Sequence, residues 1–506
     1  MKQNFYPFNA LALATILALP GIQVAQAQVS PDTLKSISIP DKVDTSIGKL
    51  EFFDGVPANA ATVENVYDNL DRMRGTDVFL DNLGAVSMYS VRKGLDGAGA
   101  QGANKIAVFE GLMDSQTLVV TANTSTLYAY TYTDLAKDGP TVIEIPPGML
   151  GFLNDAWQRF AGNMGVTGPD KGKGGKYLVL PPGYAGEVPD GYFLLKPSTN
   201  RNFLFLRGSI KNGLEPAVKN ITSGLKVYPL KEANKPAPTE FVNVSMKAFN
   251  TILPSDFSYF EYLNDIVQQE PIGAISSDVR GELAAIGIVK GKPFKPDARM
   301  KRLLTEAATL GAATARVITY HPRIAGVNIY PDDPKSIWST AFANKNTSFE
   351  ADGTMNLDAR ALYYFNAGGV TPAMATTHAG AGSDYALAVV DANKQPFDGS
   401  KTYKLHLPPN VPVNDFWAVT IYDTQTRSQL QTSQRFPTVG SQSDGIKKNA
   451  DGSFDLYFAP KAPAGKEGNW LATVPGKSWF VILRMYGPLE PWINKTWRPG
   501  EIEQVK

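Results

Sequence analysis

The feature that most constrains the fold is a series of short apolar runs, several of which alternate with a period of two. Gly, Pro, Asn and Asp separate the runs, which include "KIAVFE", "STLYAYTYTDL", "PTVIEIPP", "KYLVLPP" and "NFLFLRGSI". Successive side chains of a strand point to opposite faces, so this spacing indicates short strands that cover a core. Short strands joined by turn residues are typical of antiparallel sandwiches and barrels. The sequence therefore predicts a mainly β protein that is α+β overall.

A second set of strand-like runs follows about a hundred residues later, from about Gly326. It contains "DYALAVVD", "TYKLHLPP", "FWAVTIYD", "FDLYFAP" and "SWFVILRMYGP". Between the two sets, apolar residues recur three to four positions apart, which indicates helices. Pro296 suits the first turn of one such helix, and its apolar stripe is Met300, Leu303, Leu304, Ala307 and Leu310. We therefore expect two β-sandwich domains joined by a helical connecting segment.

These changes of pattern give the domain boundaries. We predict a signal peptide over residues 1–27, an extended N-terminal arm over 28–58, an N-terminal helix plus β-sandwich over 59–235, a helical connecting segment over 236–325 and a C-terminal β-sandwich over 326–506. The signal combines Lys2, an apolar run too short to cross a bilayer, and small residues before a cleavage site near Ala27. We expect a periplasmic or secreted protein whose mature chain has no transmembrane segment.

The charge balance limits the class of partner, and the absence of cysteine limits how the domains can be stabilised. The chain has 49 Lys plus Arg against 48 Asp plus Glu, which argues against nucleic acid as a partner. It has no Cys, so its domains depend on their cores even though an exported protein is free to form disulfides. The sequence leaves the oligomeric state open.

The stretch "VNDFWAVTIYDTQTRSQL" (residues 413–430) tests whether acids on a strand form a catalytic pair. Both faces of the strand are largely apolar, as expected for an inner strand covered on both sides. Asp415 and Asp423 would lie about 27 Å apart along a straight strand, too far for a general acid and base, which need less than about 10 Å. Asp423 is therefore interpreted as a turn former.

Aromatic residues and one arginine give the candidate ligand site. Arg484 follows an apolar run, and a buried Arg needs a carboxylate or a ligand as its acceptor. Together, Arg, Tyr and Trp can hold an anionic or sugar-like ligand by bidentate bonding and stacking. The predicted ligand-binding residues are Tyr128, Tyr130, Trp417, Trp470, Arg484 and Tyr486. The alternative is that the aromatic residues pack in cores and that Arg484 forms a structural ion pair.

Cofactor motifs are sparse. His321, His378 and His406 lie far apart in the sequence but could converge on a divalent metal, as three-His sites do; the alternative is a structural role for each. Gly97, Gly99 and Gly102 spell GxGxxG, but a helical pattern precedes them and a strand follows, the reverse of the dinucleotide arrangement. We expect no nucleotide cofactor and leave a divalent metal as an alternative.

Several motifs carry a resemblance to a known pair of families. "DGSKTYKLHLPPNVPVNDFWAVTIYDTQT", "GNWLATVPGKSWFVILRMYGP" and "TWRPGEIEQV" resemble domain of unknown function 1214. Upstream, "ANTSTLYAYTYTDLAKDGPTVIEIPP" and "NRNFLFLRGSI" resemble its companion, domain of unknown function 1254. The resemblance covers roughly residues 60 to 500. It implies an exported bacterial protein with jelly-roll-like β domains, and it implies no catalytic residues.

Three hypotheses of function follow. The first is an exported envelope protein of unassigned activity that binds a small-molecule or carbohydrate ligand, with hydrolysis as an open extension, in a cleft between the two β-sandwich domains. The second is a non-catalytic structural or interaction protein of the envelope. The third is a metal-dependent hydrolase, which requires the histidines or acidic residues to meet in space.

Overall fold

The structure is a computed structural model, and it describes residues 29–505. The predicted signal peptide over residues 1–27 lies outside the described residues. Within the described range, no helix has the length and apolar character needed to cross a membrane. The chain divides into two compact units, one that ends at Asn69 and one that begins at Leu70.

In the first unit, the segment predicted to be an extended arm instead forms a short helix and a three-stranded antiparallel sheet. The elements are α1 (Pro31–Ser36), β1 (Lys42–Thr45), β2 (Gly48–Phe53) and β3 (Val56–Pro57), with strand order β1-β2-β3. Asp54 and Gly55 both have positive φ, as a tight hairpin turn requires, and Asp-Gly is a preferred pair for such turns. That dipeptide was the signal for a hairpin in this segment.

Ten helices follow among the described residues, and most of them share one core. They are α2 (Ala60–Asp81), α3 (Leu83–Gly97), α4 (Leu135–Asp138), α5 (Leu214–Gly224), α6 (Ser258–Gln269), α7 (Ser277–Ala285), α8 (Ala298–Tyr320), α9 (Leu357–Asn366), α10 (Pro372–Ala375) and α11 (Glu490–Ile493). Phe79, Tyr259, Leu304 and Tyr363, from four of these helices, lie in the same buried cluster. Burial of apolar helix faces in a common core is what stabilises them.

The start of α8 differs from the prediction. Asp297 caps the helix, since its side chain accepts the N–H of Met300 at 2.7 Å. Pro296 therefore lies outside the helix rather than in its first turn. Of the predicted stripe, Leu303, Leu304 and Ala307 are buried, while Leu310 is exposed. Short 3₁₀ turns lie at Leu230–Glu232, Ile272–Ala274, Ala343–Lys345 and Glu467–Asn469.

Two sheets form the N-terminal half of the second unit. Their strands are β4 (Lys105–Val108), β5 (Leu127–Asp134), β6 (Thr141–Ile145), β7 (Met149–Asn154), β8 (Phe160–Gly165), β9 (Gly175–Val179), β10 (Phe193–Leu195), β11 (Arg201–Gly208), β12 (Lys226–Pro229) and β13 (Glu240–Asn243). The N-terminal large sheet has the order β13-β4-β5-β11-β7-β8, and the small sheet has the order β10-β9-β6-β12. Leu204 and Leu206 of the large sheet share a core with Ile143 and Val179 of the small one.

The C-terminal half repeats this plan. Its strands are β14 (Trp338–Ser339), β15 (Glu350–Ala351), β16 (Thr354–Met355), β17 (Ser383–Ala388), β18 (Tyr403–Leu407), β19 (Val413–Asp423), β20 (Thr438–Gly440), β21 (Phe454–Ala459), β22 (Trp470–Ala472), β23 (Trp479–Pro488) and β24 (Ile502–Gln504). The C-terminal large sheet has the order β14-β17-β23-β19-β20 and the small sheet β22-β21-β18-β24, while β15 pairs with β16. A buried cluster joins Val419 and Leu483 of the large sheet to Leu405 and Leu456 of the small one.

The structure confirms that residues 413–423 form an inner strand, because β19 lies between β23 and β20. Both of its faces are covered, with Val419 and Ile421 in one cluster and Tyr422 in another. Asp423 forms the predicted turn, and its carboxylate accepts the N–H groups of Gln425 at 2.6 Å and Thr426 at 3.1 Å.

Helix and strand occur in similar amounts, so the chain is α+β rather than mainly β. Part of the difference comes from α9 and α10, which lie in the region expected to be all strand. The sequence of α9, "LDARALYYFN", places Leu362 and Tyr363 in the helical core. Asn356 caps it by accepting the N–H of Ala359, the start signal that the strand interpretation missed.

Candidate functional site

A cavity of about 1160 Å³ lies between the two large sheets, and we call it the inter-sheet cavity. Each large sheet turns one face to its small sheet and the other to this cavity. Small-molecule sites typically have about 300–1,000 Å³, so the inter-sheet cavity can hold a sizeable organic ligand. Its walls are the cavity-facing sides of β5, β7 and β11, the cavity-facing sides of β17 and β23, and the chain around α10.

The N-terminal wall is built by alternation along β5 and β11. Leu206 lies in the core shared with the small sheet, so Phe205 and Arg207, its neighbours on either side, face the cavity. Arg207 pairs with Tyr128 and Phe205 with Tyr130 across the two strands. The ring centroids of Tyr130 and Phe205 lie 5.1 Å apart, which gives this wall a continuous aromatic surface.

The tyrosine stripe of β5 divides between two roles. Tyr128 and Tyr130 line the cavity. The hydroxyl of Tyr132 instead donates to the carbonyl oxygen of Met88 in α3, at 2.5 Å. One face of one strand therefore supplies both packing against a helix and a wall of the cavity.

The C-terminal wall follows the same rule on β23. Arg484 and Tyr486 are two residues apart and line the cavity together. Tyr385 of β17 is the cross-strand neighbour of Arg484 and also lines the cavity. The ring of Phe416, from β19, stacks on Tyr486 with 4.1 Å between centroids. This wall also combines aromatic rings with one arginine.

A third wall comes from the chain between α9 and α10, which the sequence analysis did not identify. Gly369 has a φ of +101°, and a Cβ at this position would lie 2.7 Å from the ring of Phe152. Asn154 of β7 holds the next residue, since it accepts the N–H of Val370 at 2.7 Å and donates to its carbonyl at 2.8 Å. Only glycine fits this close approach to the N-terminal large sheet. The signal in the sequence was "NAGGVTP".

One amide connects the two walls. The Nδ2 group of Asn123 donates to the hydroxyl of Tyr128 at 3.0 Å and to the hydroxyl of Tyr486 at 2.9 Å. Tyr128 belongs to the N-terminal large sheet and Tyr486 to the C-terminal one. Since Asn123 is buried, these bonds are shielded from water and fix the two phenols beside each other.

The two cavity arginines have different surroundings. Arg484 is only 4% exposed; one of its Nη atoms donates to the carbonyl of Thr121 at 3.0 Å, and Nη1 has no hydrogen-bond partner among residues 29–505. Arg207 is half-buried and is the cross-strand neighbour of Tyr128. In the described part of the chain, no carboxylate lies within ion-pair distance of either guanidinium. Asp415, the acid that lines the cavity, is exposed.

The protonation states of these groups are well separated. Burial by itself lowers the pKa of Arg207 and Arg484, but the neighbouring tyrosines outweigh burial and raise the pKa of both groups. Burial raises the pKa of Tyr130 and of Tyr486. At neutral pH the cavity therefore presents two charged guanidiniums among uncharged phenols.

The structure brings together four of the six residues predicted to bind a ligand. Tyr128, Tyr130, Arg484 and Tyr486 all line the inter-sheet cavity. The other two predicted residues lie outside its lining. Arg207 was missed, although "FLFLR" carries the same signal as the run before Arg484, an arginine that directly follows apolar residues on a strand.

Trp417 and Trp470 lie elsewhere for reasons of strand geometry. Trp417 is 2% exposed and belongs to the core shared with the small sheet, because its neighbour Phe416 takes the cavity-facing side of β19. Trp470 belongs to the small sheet itself, where its indole N–H donates to the carbonyl of Ala459 at 2.8 Å.

The three histidines do not meet. His321 follows the end of α8, His378 lines the inter-sheet cavity, and the Nδ1 of His406 lies 2.7 Å from a carboxylate oxygen of Asp455 in the small C-terminal sheet. Between residues 29 and 505, no three His, Asp or Glu side chains come close enough together to form a metal site. Within that range, the alternative in which the three histidines converge on a metal is therefore wrong.

Comparison with known proteins confirms the resemblance seen in the sequence. The model of "Protein of unknown function (DUF1254)" matches residues 103–229, and the model of "Protein of unknown function (DUF1214)" matches residues 382–490. The chain therefore contains both domains. The first match spans β5, β7 and β11 with Arg207, and the second spans β17, β19 and β23 with Arg484. The two families thus supply the two facing walls of the cavity.

Similar solved structures exist, but no curated protein matches the chain. The VPA0106 protein from Vibrio parahaemolyticus is 19% identical, with a TM-score of 0.48 and coverage of 85% of this chain and 100% of that one. An uncharacterised protein from Burkholderia cenocepacia is 14% identical, with a TM-score of 0.40 and coverage of 87% and 96%.

Proposed function

We propose that this protein binds a small organic ligand in the inter-sheet cavity. The observation that carries the proposal is the cavity itself, which is large and is lined from both domains by Tyr128, Tyr130, Arg484 and Tyr486. Aromatic walls with a few fixed polar groups are what ligand sites use to gain affinity and orientation. The lining supplies surface and hydrogen bonds, and the proposal is for binding rather than for a chemical step.

The proposal includes the finer architecture. Each pair of a large and a small sheet forms one jelly-roll-like β-sandwich, with its core between the two sheets and the outer face of its large sheet available to a ligand. The shared cores of each pair support this arrangement. The ligand then lies between two sandwiches rather than inside either one.

A cavity-filling variant tests the proposal. Leu150 is half-buried on β7, opposite Arg207, and lines the cavity, so Leu150→Trp places an indole where the ligand would lie. Leu194 on β10 is 43% exposed and lies outside the lining, so Leu194→Trp is the matched control. The measurement is a thermal-shift screen against envelope sugars and organic acids, because a ligand of the native state raises Tm.

We expect at least one ligand to raise the Tm of the wild type and of Leu194→Trp but not that of Leu150→Trp. Both variants should first show the circular dichroism of the wild type. A ligand that stabilises Leu150→Trp as strongly as the wild type would show that binding occurs outside the inter-sheet cavity.

We also propose that the protein is exported. The support is the sequence of residues 1–27, which combines Lys2, a short apolar run and small residues before Gln28. Expression of the full chain followed by cell fractionation should place it in the periplasm or the medium, with Gln28 as the mature N-terminus by mass spectrometry. Full-length protein in the cytosol would contradict export and leave ligand binding untouched.

A further inference from the structure

We infer that the ligand is an organic oxyanion, a carboxylate or phosphate attached to an apolar body, whose charge lies between Arg207 and Arg484. This inference rests on the proposed function, since it assigns the chemistry of a ligand in the inter-sheet cavity. Three features of the cavity support it: its hydrogen-bond donors, the hydrogen bonds that connect the surroundings of the two arginines, and the apolar surface around them.

The first observation is that both arginines lack an anion. A guanidinium removed from water costs several kcal/mol unless a carboxylate or an equivalent acceptor compensates it. Arg484 has the Thr121 carbonyl on one side and no hydrogen-bond partner for Nη1 within the described range. Arg207 is the cross-strand neighbour of Tyr128, and no carboxylate of the described residues lies within ion-pair distance of it. An oxyanion supplies the acceptor that the protein itself does not provide.

The second observation is that the phenols beside the arginines are also set up as donors. The Tyr128 oxygen accepts from Asn123 at 3.0 Å, and Tyr128 is the cross-strand neighbour of Arg207. A hydroxyl group that accepts a hydrogen bond still has its own proton, so Tyr128 can donate to a ligand. Tyr486 accepts from the same amide at 2.9 Å. Ionised carboxylates and phosphates only accept, and they therefore complement this set.

The third observation is that hydrogen bonds connect the surroundings of the two arginines. Asn123 donates to the hydroxyls of Tyr128 and Tyr486. Tyr128 is the cross-strand neighbour of Arg207, and Tyr486 lies two residues from Arg484 on the same face of its strand. Arg207 comes from the N-terminal large sheet and Arg484 from the C-terminal one. A single charged group between them can therefore contact both walls of the cavity.

The rest of the lining indicates an apolar body. Phe152 and Phe205 stack with 4.6 Å between their ring centroids on the N-terminal wall, and apolar side chains continue along both walls at Val120, Leu150, Leu387 and Ile482. These surfaces gain free energy when an apolar group displaces water from them. A simple inorganic anion would leave most of the cavity unfilled.

Three probes of equal chain length separate charge from apolar contact. Decanoate and decyl phosphate are anions, and decyl glucoside is neutral with a sugar head group. Affinities are measured by calorimetry below the critical micelle concentration. We expect the wild type to bind at least one anion about 10- to 100-fold more tightly than the glucoside, as one or two charge-assisted hydrogen bonds imply.

Arg207→Gln is the decisive variant, because Arg207 is half-buried and a glutamine keeps its polar character. We expect it to lose at least about tenfold in anion affinity while its affinity for the glucoside stays within about twofold. Arg323→Gln, at an exposed arginine outside the lining, is the matched control and should bind as the wild type does. Arg207→Lys should recover part of the loss, because it restores the charge without the planar fork.

The outcomes separate this inference from the proposed function. If the glucoside binds as tightly as the anions and Arg207→Gln changes nothing, while Leu150→Trp removes binding, the inference is overturned and the cavity remains a binding site. If none of the three probes binds while another compound of the screen does, the inference is again overturned. If Leu150→Trp binds every probe normally, both the inference and the proposed function fail.

A salt titration is a further control. If the anion preference is lost in 0.5 M NaCl, the anions are adsorbed at the surface, because buried charges are little screened, and the inference is overturned.

Discussion

The two large sheets place an arginine in the same way but surround it differently. Arg207 lies near the end of β11, between β5 and β7, and Arg484 lies in the middle of β23, between β17 and β19. Each follows an apolar run, "FLFL" in one sheet and "FVIL" in the other. On both strands the preceding leucine faces the core shared with the small sheet, and the arginine faces the cavity.

The surroundings then diverge. Arg484 is buried, is held by the Thr121 carbonyl and lies 5.6 Å from the ring centroid of Tyr422, whereas Arg207 is half-buried beside its cross-strand neighbour Tyr128. Thr121 belongs to the loop before β5, so Arg484 also ties the C-terminal sheet to the N-terminal half. The comparison indicates that Arg484 has a structural role in holding the walls of the cavity together. The Arg207 side chain is less constrained and can adjust its conformation to a ligand.

The sheets also differ where the arginine-bearing strand begins. Glu270, which is 2% exposed, accepts the N–H of Asn200 at 2.5 Å and of Arg201 at 3.2 Å, and so fixes the start of β11. Burial raises the pKa of Glu270 from 4.5 to about 7, against the lowering effect of these N–H groups. The start of β11 is therefore sensitive to pH near neutrality.

This difference predicts a pH-dependent stability that Glu270→Gln removes. The folded state holds the Glu270 proton between pH 4.5 and about 7, where the unfolded chain has released it. The contribution is fully present below pH 4.5 and is lost as the pH rises towards about 7, a change of about 3 kcal/mol. Urea unfolding of wild type and Glu270→Gln at several pH values measures it, and the difference between the two should grow with pH.

The matched control is Glu261→Gln, at a glutamate in α6 that is exposed. Its pH profile should follow the wild type. If Glu270→Gln also follows the wild type from pH 5 to 7.5, the carboxyl group of Glu270 is ionised throughout and the N-terminal sheet is no more sensitive to pH than the C-terminal one.

The period of two along each strand predicted the sheets well. It reflects the alternating direction of side chains within a strand, which does not depend on contacts with distant residues. It placed β5, β11, β19 and β23 correctly, and it placed Arg484 and Tyr486 on one face. It could not say which face of a strand meets a small sheet and which meets the cavity, because both faces are apolar. Trp417 was assigned to the ligand site for that reason, and it lies in the core.

The parts of the site that sequence reasoning missed depend on long-range contacts. The segment with Gly369 and Val370 lies against β7 because Asn154, more than two hundred residues earlier, forms two hydrogen bonds with the backbone of Val370. Asn123 bonds both to Tyr128 and to Tyr486, which lies 363 residues further along the chain. No local pattern encodes such pairings. Arg207, by contrast, was available from the sequence, because it repeats the signal that identified Arg484.

The smaller of the two predicted changes in stability concerns the side-chain amide of Asn123, which joins the two large sheets. Asn123→Ala removes the two hydrogen bonds to Tyr128 and Tyr486 and should lower the free energy of unfolding by about 1–2 kcal/mol. Asn393→Ala, at an exposed asparagine, is the control and should stay within about 0.5 kcal/mol. Urea unfolding at a constant pH gives both values.

A double-mutant cycle with Tyr486→Phe shows whether this bond ties one sheet to the other. Phenylalanine keeps the ring stacked on Phe416 and removes the hydroxyl, so in that background Asn123→Ala loses one bond to a phenol instead of two, while the bond from the Ser125 N–H is lost in both backgrounds. The cost of Asn123→Ala should then fall by about 0.5–1 kcal/mol. The same cycle with Tyr128→Phe measures the bond within the N-terminal half. Coupling to Tyr128 but none to Tyr486 would mean that Asn123 serves the N-terminal sheet alone. The C-terminal sheet would then be tied to the loop before β5 by Arg484 and Tyr422, which donate to the carbonyls of Thr121 and Ala122.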